Sequence, residues 1–248
     1  MTAKDLKNAL LQEAVQGKLV PQIASEGNAR DLLEEIRKAR LSRGLDFANA
    51  KSKKKGKKET ELAGSNPCDI SEDEIPFDIT ESLCWCRLSE YVDIRDGTHD
   101  SPKYVDKGYP FITSKNLQNG KLDFNNVKYI SEEDHKKICA RSNVETGDIL
   151  YSMIGGNIGK PVMVIKDREF SIKNVALFKP YTKTTYIKYI LFYLDAITEE
   201  LRKIASGGCQ PFVGLNVFRN WIFPLPPLAE QKWNSQSKRR RICTELLE

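Results

Sequence analysis

The sequence predicts a mixed α+β protein, with a twisted, mostly antiparallel sheet and peripheral helices following an N-terminal α-helical, coiled-coil arm. Three observations favour this class. Residues 4–43 carry apolar side chains at the three- and four-residue spacing typical of helices. Beyond residue 75, short apolar runs alternate with Gly, Asn and Asp, as in strands joined by turns. The 248 residues, 40% of them hydrophobic, suffice for one large domain with a helical attachment.

The arm is predicted at residues 1–46 and consists of two helices. The first ends before Pro21, and the second has Asn28 as its N-cap and Gly44 as its stop. Their apolar faces contain Leu6, Leu10, Leu11, Val15, Leu32, Leu33 and Ile36. Two helices cannot bury both faces alone. The faces therefore pack on the following domain or serve as subunit-docking residues for another protein.

Residues 47–75 are predicted to be a disordered charged linker, because the run KSKKKGKK at 51–58 repels itself and stays solvated. Residues 1–60 contain 14 Lys and Arg against 8 Asp and Glu, whereas the remainder contains 25 against 26. Nucleic acid would therefore contact the larger part of the chain through a local basic patch. We expect a compact domain at residues 76–231 and an atypical tail at residues 232–248.

The compact domain carries signals for several strands and one long helix. Predicted strands cover residues 91–94, 110–113, 148–154, 161–165 and 175–178, each bounded by turn residues. The predicted helix covers residues 185–205, with apolar side chains at the 3.6-residue period, and ends at Gly207-Gly208.

The glycine-rich segment GDILYSMIGGNIGK at residues 147–160 resembles a nucleotide-binding loop only superficially. A Walker loop needs Ser or Thr after Gly-Lys, but Pro161 follows Lys160, and Ile154 replaces the first glycine. A strand–turn–strand with glycines at positive φ is predicted instead. In such a turn Lys160 is either solvated or in contact with a phosphate.

The sequence predicts no catalytic residue, no metal site and no cofactor. Its six cysteines lack the paired spacing of zinc sites and are expected to be buried thiols. The two histidines have no recognisable catalytic setting, and Asn66-Pro67-Cys68 departs from the motif of adenine methyltransferases. No run approaches the roughly 20 apolar residues of a membrane span, and no secretory signal is visible, so a cytoplasmic protein is expected.

Several blocks in a fixed order carry a family resemblance. They are LKNALLQEAVQGKLVP at 6–21, WCRL at 85–88, IRDGTHDSP at 94–102, GYPFITSKNL at 108–117, the glycine-rich segment, and PLPPLAEQ at 224–231. Together they resemble one target recognition domain of a type I restriction-modification specificity subunit, with its helical conserved region. The resemblance implies a non-catalytic protein that reads part of a DNA site, with helices that space the domain and dock modification (methyltransferase) and restriction (nuclease/translocase) subunits.

Polar loop residues are the candidates for contact with double-stranded DNA, because base edges and phosphates need donors, acceptors and cations. The candidates are Thr98, His99, Lys103, Tyr104, Thr113, Ser114, Lys115, Asn116, Gly156, Asn157, Lys160, Lys173, Asn174 and Gln210. Each side chain has an alternative structural role, since Asn and Gly are also common in turns and lysines are often only solvated.

The C-terminus departs from the family pattern, because residues 232–248 show no sustained apolar repeat. We interpret this as a truncation of the expected long helix. The chain would then form a homodimer or be a partial product with its partner encoded elsewhere. An alternative function is an interaction protein that docks on partner subunits without productive DNA recognition.

Overall fold

The computed structural model describes residues 13–18, 27–42 and 70–235. The predicted docking residues Leu6, Leu10 and Leu11 lie outside these ranges, as do most of the predicted linker and residues 236–248. No helix within the described ranges is long and apolar enough to cross a membrane.

In the part of the chain that the structure describes, twelve short strands form four sheets. The strands are β1 (Cys84–Arg87), β2 (Val92–Asp96), β3 (Tyr104–Val105), β4 (Tyr109–Ile112), β5 (Leu117–Gln118), β6 (Lys121–Leu122), β7 (Lys128–Ile130), β8 (Ile149–Ser152), β9 (Gly159–Met163), β10 (Ser171–Ile172), β11 (Val175–Pro180) and β12 (Ile222–Leu225). The central sheet has the order β2-β11-β8-β9, and a second sheet has the order β10-β4-β7-β3. All strand pairs are antiparallel except β10 with β4, which confirms the predicted class.

The described helices surround these sheets. They are α1 (Ala29–Ser42), α2 (Leu88–Tyr91), α3 (Glu132–Ser142), α4 (Ile187–Ala196), α5 (Thr198–Ile204), α6 (Leu215–Asn220) and α7 (Leu228–Asn234). The helix predicted over residues 185–205 is two helices, because Ile197 leaves helical geometry at ψ 2°. The Thr198 hydroxyl donates to the Leu194 carbonyl at 2.7 Å, a side-chain bond that often bends a helix.

Helix α1 confirms the predicted second helix of the arm. Its N-cap is Asn28, whose Oδ1 accepts from the backbone N–H of Asp31 at 3.0 Å. The apolar face predicted from the sequence is buried, since Leu32, Leu33 and Ile36 belong to the main hydrophobic core together with Val15. Of the two alternatives for this face, packing within the chain holds for these four residues. We therefore correct their assignment as docking residues, because buried side chains form no exposed surface.

Polar contacts fix α1 at the start of strand β2. The Arg37 guanidinium donates to Glu90 Oε1 at 2.8 Å, and Glu90 is buried. Arg40 donates to the Glu90 carbonyl at 3.3 Å and lies 4.6 Å from the centre of the Tyr181 ring. The arm helix is thereby attached at the end of the central sheet that lies opposite Asp96.

Two predicted segments, the linker at residues 47–75 and the tail at residues 232–248, need correction where the structure describes them. Residues 70–75 were assigned to the disordered linker, yet they contain a 3₁₀ helix at Glu72–Glu74, and Glu74 pairs with Arg87 at 2.7 Å. The Arg87 guanidinium holds the pKa of the Glu74 carboxyl below its usual value. Residues 232–234 were assigned to the tail but belong to α7, where Asn234 donates to the Ala14 carbonyl at 3.5 Å.

Candidate nucleic-acid interface

Three predicted contact segments leave the same end of the central sheet. Strand β2 ends at Asp96, which pairs with Ala176 near the start of β11. Strand β11 begins at Val175, which pairs with Ser152 at the end of β8. The chain therefore enters residues 97–101 and 153–158, and leaves residues 173–174, at one end of this sheet.

Backbone hydrogen bonds bring a fourth segment to the same end. The Thr98 N–H donates to the Ile172 carbonyl at 3.1 Å, and the Lys173 N–H donates to the Ile112 carbonyl at 2.9 Å. Because Ile112 ends β4, the following segment 113–116 is attached beside residues 173–174. We call residues 97–101, 113–116 and 173–174 the held loops.

His99 joins two of the held loops through its ring nitrogens. Its Nε2 lies 2.8 Å from Asp96 Oδ2, and its Nδ1 lies 2.8 Å from Asn174 Oδ1. Asp96 is buried and forms an ion pair with Arg141 of α3 through its other oxygen. The side chain of His99 itself is 65% exposed. Both ring nitrogens are therefore bonded within the protein, whereas most of the side chain remains accessible to a ligand.

Two neighbouring side chains of the held loops are also engaged. Lys173 donates from its ammonium to the Ser101 hydroxyl, and the Thr98 hydroxyl accepts from the Asp100 N–H at 3.0 Å. Thr98 and Lys173 are partly exposed. The ammonium of Lys173 retains further donors for a phosphate or a base.

Asn116 has a structural role in the held loops. Its Oδ1 accepts from both the N–H and the hydroxyl of Thr113 at 3.0 Å, and its Nδ2 donates to the Asp123 carbonyl at 3.0 Å. Its side chain is buried. We therefore correct its selection as a DNA-contact candidate, because its amide is buried and already bonded. Ser114 is partly exposed and Lys115 is exposed on the same turn.

Lys103 and Tyr104 follow the held loop 97–101 into the second sheet. Tyr104 is in β3, the edge strand of the second sheet, and is 47% exposed. The Lys128 ammonium lies 6.0 Å from the centre of its ring. Tyr129, on the partner strand β7, is also exposed. Lys128 and Tyr129 extend this aromatic and basic surface, although the sequence analysis did not select them.

The glycine-rich segment forms the predicted turn between β8 and β9. Gly155 has φ 60° and Gly159 has φ 109°, and residues Gly155–Asn157 form a 3₁₀ turn. A Cβ at Gly159 would lie 2.7 Å from Thr198 Cγ2, so close packing also requires glycine there. The exposed Lys160 donates to Asn157 Oδ1 at 2.7 Å. Gly156 is exposed at the tip of the turn.

A second loop, residues 206–212, lies against this turn. The Gly155 N–H donates to the Pro211 carbonyl at 2.7 Å, and Phe212 forms an isolated bridge with Ile154. Gln210 is exposed, and the Phe212 side chain is 48% exposed. We call residues 155–160 and 206–212 the open loops. Phe212 was not selected from the sequence, because Gly207, Gly208 and Pro211 indicate a turn but phenylalanine is more often buried than exposed.

Burial disfavours nucleophilic chemistry at Cys84 and Cys139. Cys84 and Cys86 are buried as expected, and burial raises the pKa of Cys84 to about 11. Cys139 lies 3.6 Å from Nδ1 of His135, but burial raises its pKa as well, which disfavours a thiolate. Cys209 is exposed, contrary to the expectation of buried thiols. Within residues 13–18, 27–42 and 70–235, no three His, Cys, Asp or Glu side chains form a group suited to a metal ion.

Comparison with known proteins agrees with this architecture. The chain is 26% identical over 238 residues to the Type I restriction enzyme EcoAI specificity subunit of Escherichia coli, covering 91% of this chain and 37% of that protein. It is 28% identical over 172 residues to the MjaVIII specificity subunit of Methanocaldococcus jannaschii, covering 65% of this chain and 39% of that protein. The chain thus spans less than two fifths of either relative.

A solved structure described as the structural basis of complex assembly and conformational transition of the type I R-M system contains a chain of similar fold. Its TM-score is 0.51 at 18% sequence identity, covering 98% of this chain and 52% of that one. Residues 86–236, more than half of the sequence, match the family model described as Type I restriction modification DNA specificity domain. The chain therefore belongs to the family of type I restriction-modification specificity subunits.

Proposed function

We propose that the chain recognises a specific double-stranded DNA sequence through the held and open loops. The observation that carries this proposal is the convergence of both loop sets at one end of the central sheet. Exposed Lys115 and Lys160, with the partly exposed Lys173, lie on these loops, and cations at such positions neutralise phosphates. This local patch is compatible with a larger part of the chain that is not basic overall.

In this proposal the two loop sets have different tasks. The lysines and the glycine turn contact the phosphate backbone, since residues without side chains allow close backbone approach. Base edges are contacted by side chains with a free donor or acceptor, among which Asn174 and Gln210 are the foremost candidates, and the exposed ring of His99 lies beside Asn174. Asn157 supports Lys160 through its 2.7 Å hydrogen bond. Ser114 and Thr113 contribute hydroxyl groups at the edge of the same surface.

The chain supplies no catalytic group in this proposal. Adenine methylation and DNA cleavage would be performed by modification and restriction subunits, which the specificity subunit directs to the site. The EcoAI and MjaVIII relatives are specificity subunits of restriction enzymes, which supports partners of this kind. A homodimer with two equivalent DNA-reading domains on a symmetric site is a further arrangement that we propose.

Co-expression with a modification subunit in a methylation-free host tests the proposal directly. Genome-wide mapping of N6-methyladenine should reveal a new sequence motif, which a variant lacking the charges of Lys115, Lys160 and Lys173 should fail to produce. A symmetric motif, together with concentration-dependent sedimentation, would support the homodimer. Co-purification without any motif would instead favour the alternative function, docking on partner subunits without DNA recognition.

A further inference from the structure

The side-chain amide of Asn174 is bonded at one end only. Its Oδ1 lies 2.8 Å from Nδ1 of His99, and within the described residues no hydrogen bond joins its Nδ2. The backbone of Asn174 has φ 52°, a left-handed conformation that asparagine tolerates. Its N–H also donates to the Thr98 carbonyl at 3.2 Å. The residue is thus fixed in place with one end of its amide available.

Asp96 determines which nitrogen of His99 carries a permanent proton. A carboxylate only accepts hydrogen bonds, so the 2.8 Å contact with Asp96 Oδ2 requires a proton on Nε2. The other carboxylate oxygen of Asp96 accepts from the Arg141 guanidinium. Nε2 is therefore protonated in both charge states of the ring. Nδ1 is the atom that gains or loses a proton.

The state of Nδ1 determines the orientation of the Asn174 amide. A protonated Nδ1 donates to Oδ1, which leaves the NH₂ group of Asn174 facing outward as a donor. A deprotonated Nδ1 accepts, so the amide must turn over and donate from Nδ2, which leaves Oδ1 facing outward as an acceptor. The gain or loss of one proton on His99 thereby switches the outward-facing end of the Asn174 amide between donor and acceptor.

We propose that His99 and Asn174 form a specificity-determining pair, in which the protonation state of His99 sets the base that Asn174 prefers. This inference rests on the proposed function. An outward donor suits O6 or N7 of guanine, N7 of adenine or O4 of thymine, whereas an outward acceptor suits the amino groups of adenine and cytosine. Because His99 occupies one end of its amide, Asn174 makes a single contact, and the usual two-contact reading of adenine is excluded.

Several charged groups surround the pair. They are Asp96 on β2, Arg141 on α3, Lys173 beside Asn174, and Asp100 after His99. Imidazole changes charge between about pH 5 and 8. The chain contains one other histidine, His135, which is bonded to Ser171 at 2.8 Å and stacked on Tyr109. His135 therefore provides the matched control.

Nuclear magnetic resonance of the ¹⁵N-labelled full chain tests the proton exchange without DNA. In a pH series, the Asn174 side-chain resonances should shift together with those of His99 Nδ1, while Nε2 stays protonated. The shift should persist in His135→Gln and disappear in His99→Gln, in which the substituted amide can still reach Asp96. Asn174 resonances that do not follow His99 would overturn the inference.

Selection from a randomised DNA duplex at about pH 6 and pH 8 tests the effect on specificity. The full chain, in complex with a modification subunit, should change its preference at one base position by about fivefold, as for one hydrogen bond. Asn174→Asp, which has only acceptors when ionised, should fix the high-pH preference, and His99→Gln should remove the pH dependence. Selective binding with an unchanged preference would overturn this inference alone. Absence of selective binding at both pH values would contradict the proposed function, and the resonance experiment would then decide the inference.

Discussion

The held loops and the open loops lie at the same end of the central sheet but differ in how their polar groups are used. In the held loops, His99, Asn116 and Lys173 are each bonded to another segment of the chain. In the open loops, Gly156 and Gln210 are exposed, and the hydrogen bond of the Lys160 ammonium stays within its own turn. The held loops thus present their polar groups in fixed positions, which lowers the entropic cost of binding, whereas ordering the groups of the open loops on DNA costs more entropy.

Alanine substitutions of two glycines should give the largest difference between the loop sets. A Cβ at Gly97 would lie 2.3 Å from the Ile172 carbonyl oxygen, and this backbone cannot move without breaking the pairing of β10 with β4. A Cβ at Gly156 meets nothing within 4 Å. Gly97→Ala should lower the free energy of unfolding by about 3 kcal/mol, whereas Gly156→Ala should change it by less than about 0.5 kcal/mol. Urea denaturation measures both, and equal effects would contradict the distinction.

Two asparagines provide the second comparison. Asn116→Ala removes a buried amide and leaves the Asp123 carbonyl and the Thr113 N–H without their partner. The expected loss is about 2 kcal/mol in the free energy of unfolding, because unmade buried hydrogen bonds are costly. Asn157→Ala removes one bond, to an exposed lysine, and should cost less than about 0.5 kcal/mol. A small effect of Asn116→Ala on stability, with loss of DNA specificity only, would restore its selection as a DNA-contact residue.

These asparagines also illustrate what the sequence can and cannot predict. Turn chemistry predicted the glycine turn, and periodicity with an N-cap predicted α1, because both signals lie within a few neighbouring residues. The sequence could not show that Asp123 accepts from Asn116, or that Asp96 and Asn174 flank His99. Those contacts depend on how β4, β10 and β2 pair.

The apolar face of α1 shows the same limit. The sequence predicted the buried face through Leu32, Leu33 and Ile36, but it left open whether another part of this chain or another protein covers that face. Strands β1 and β2 and helices α2 and α4 contribute to the core that contains it. Helix 185–205 was predicted as continuous because its apolar period continues through Ile197, whereas the break depends on a side-chain bond to the backbone.

Removal of a charge from the open loops should weaken DNA binding without destabilising the fold. Lys160 is exposed, and among the described residues its ammonium bonds only to Asn157. If it contacts a phosphate, Lys160→Ala should reduce the slope of log affinity against log salt by about one and weaken binding by about fivefold. Lys38→Ala is the control, because α1 is attached at the other end of the central sheet. Equal salt slopes for Lys160→Ala and Lys38→Ala would show that Lys160 does not contact a DNA phosphate.

The smallest expected effect is on the pH dependence of stability, and it distinguishes the buried His135 from the exposed His99 of the held loops. Burial lowers the pKa of His135, so the unfolded chain takes up this proton at a higher pH than the folded chain does. From about pH 6.5, the ordinary value, down to the lowered folded value, the unfolded state binds more protons, and the free energy of unfolding decreases. The decrease should be less than about 1 kcal/mol and should be absent in His135→Gln. Thermal denaturation from pH 7.5 to 5.5, with His99→Gln in parallel, measures it. A His135→Gln variant that keeps the wild-type pH dependence would show that the proton is taken up elsewhere, because neutral glutamine cannot titrate.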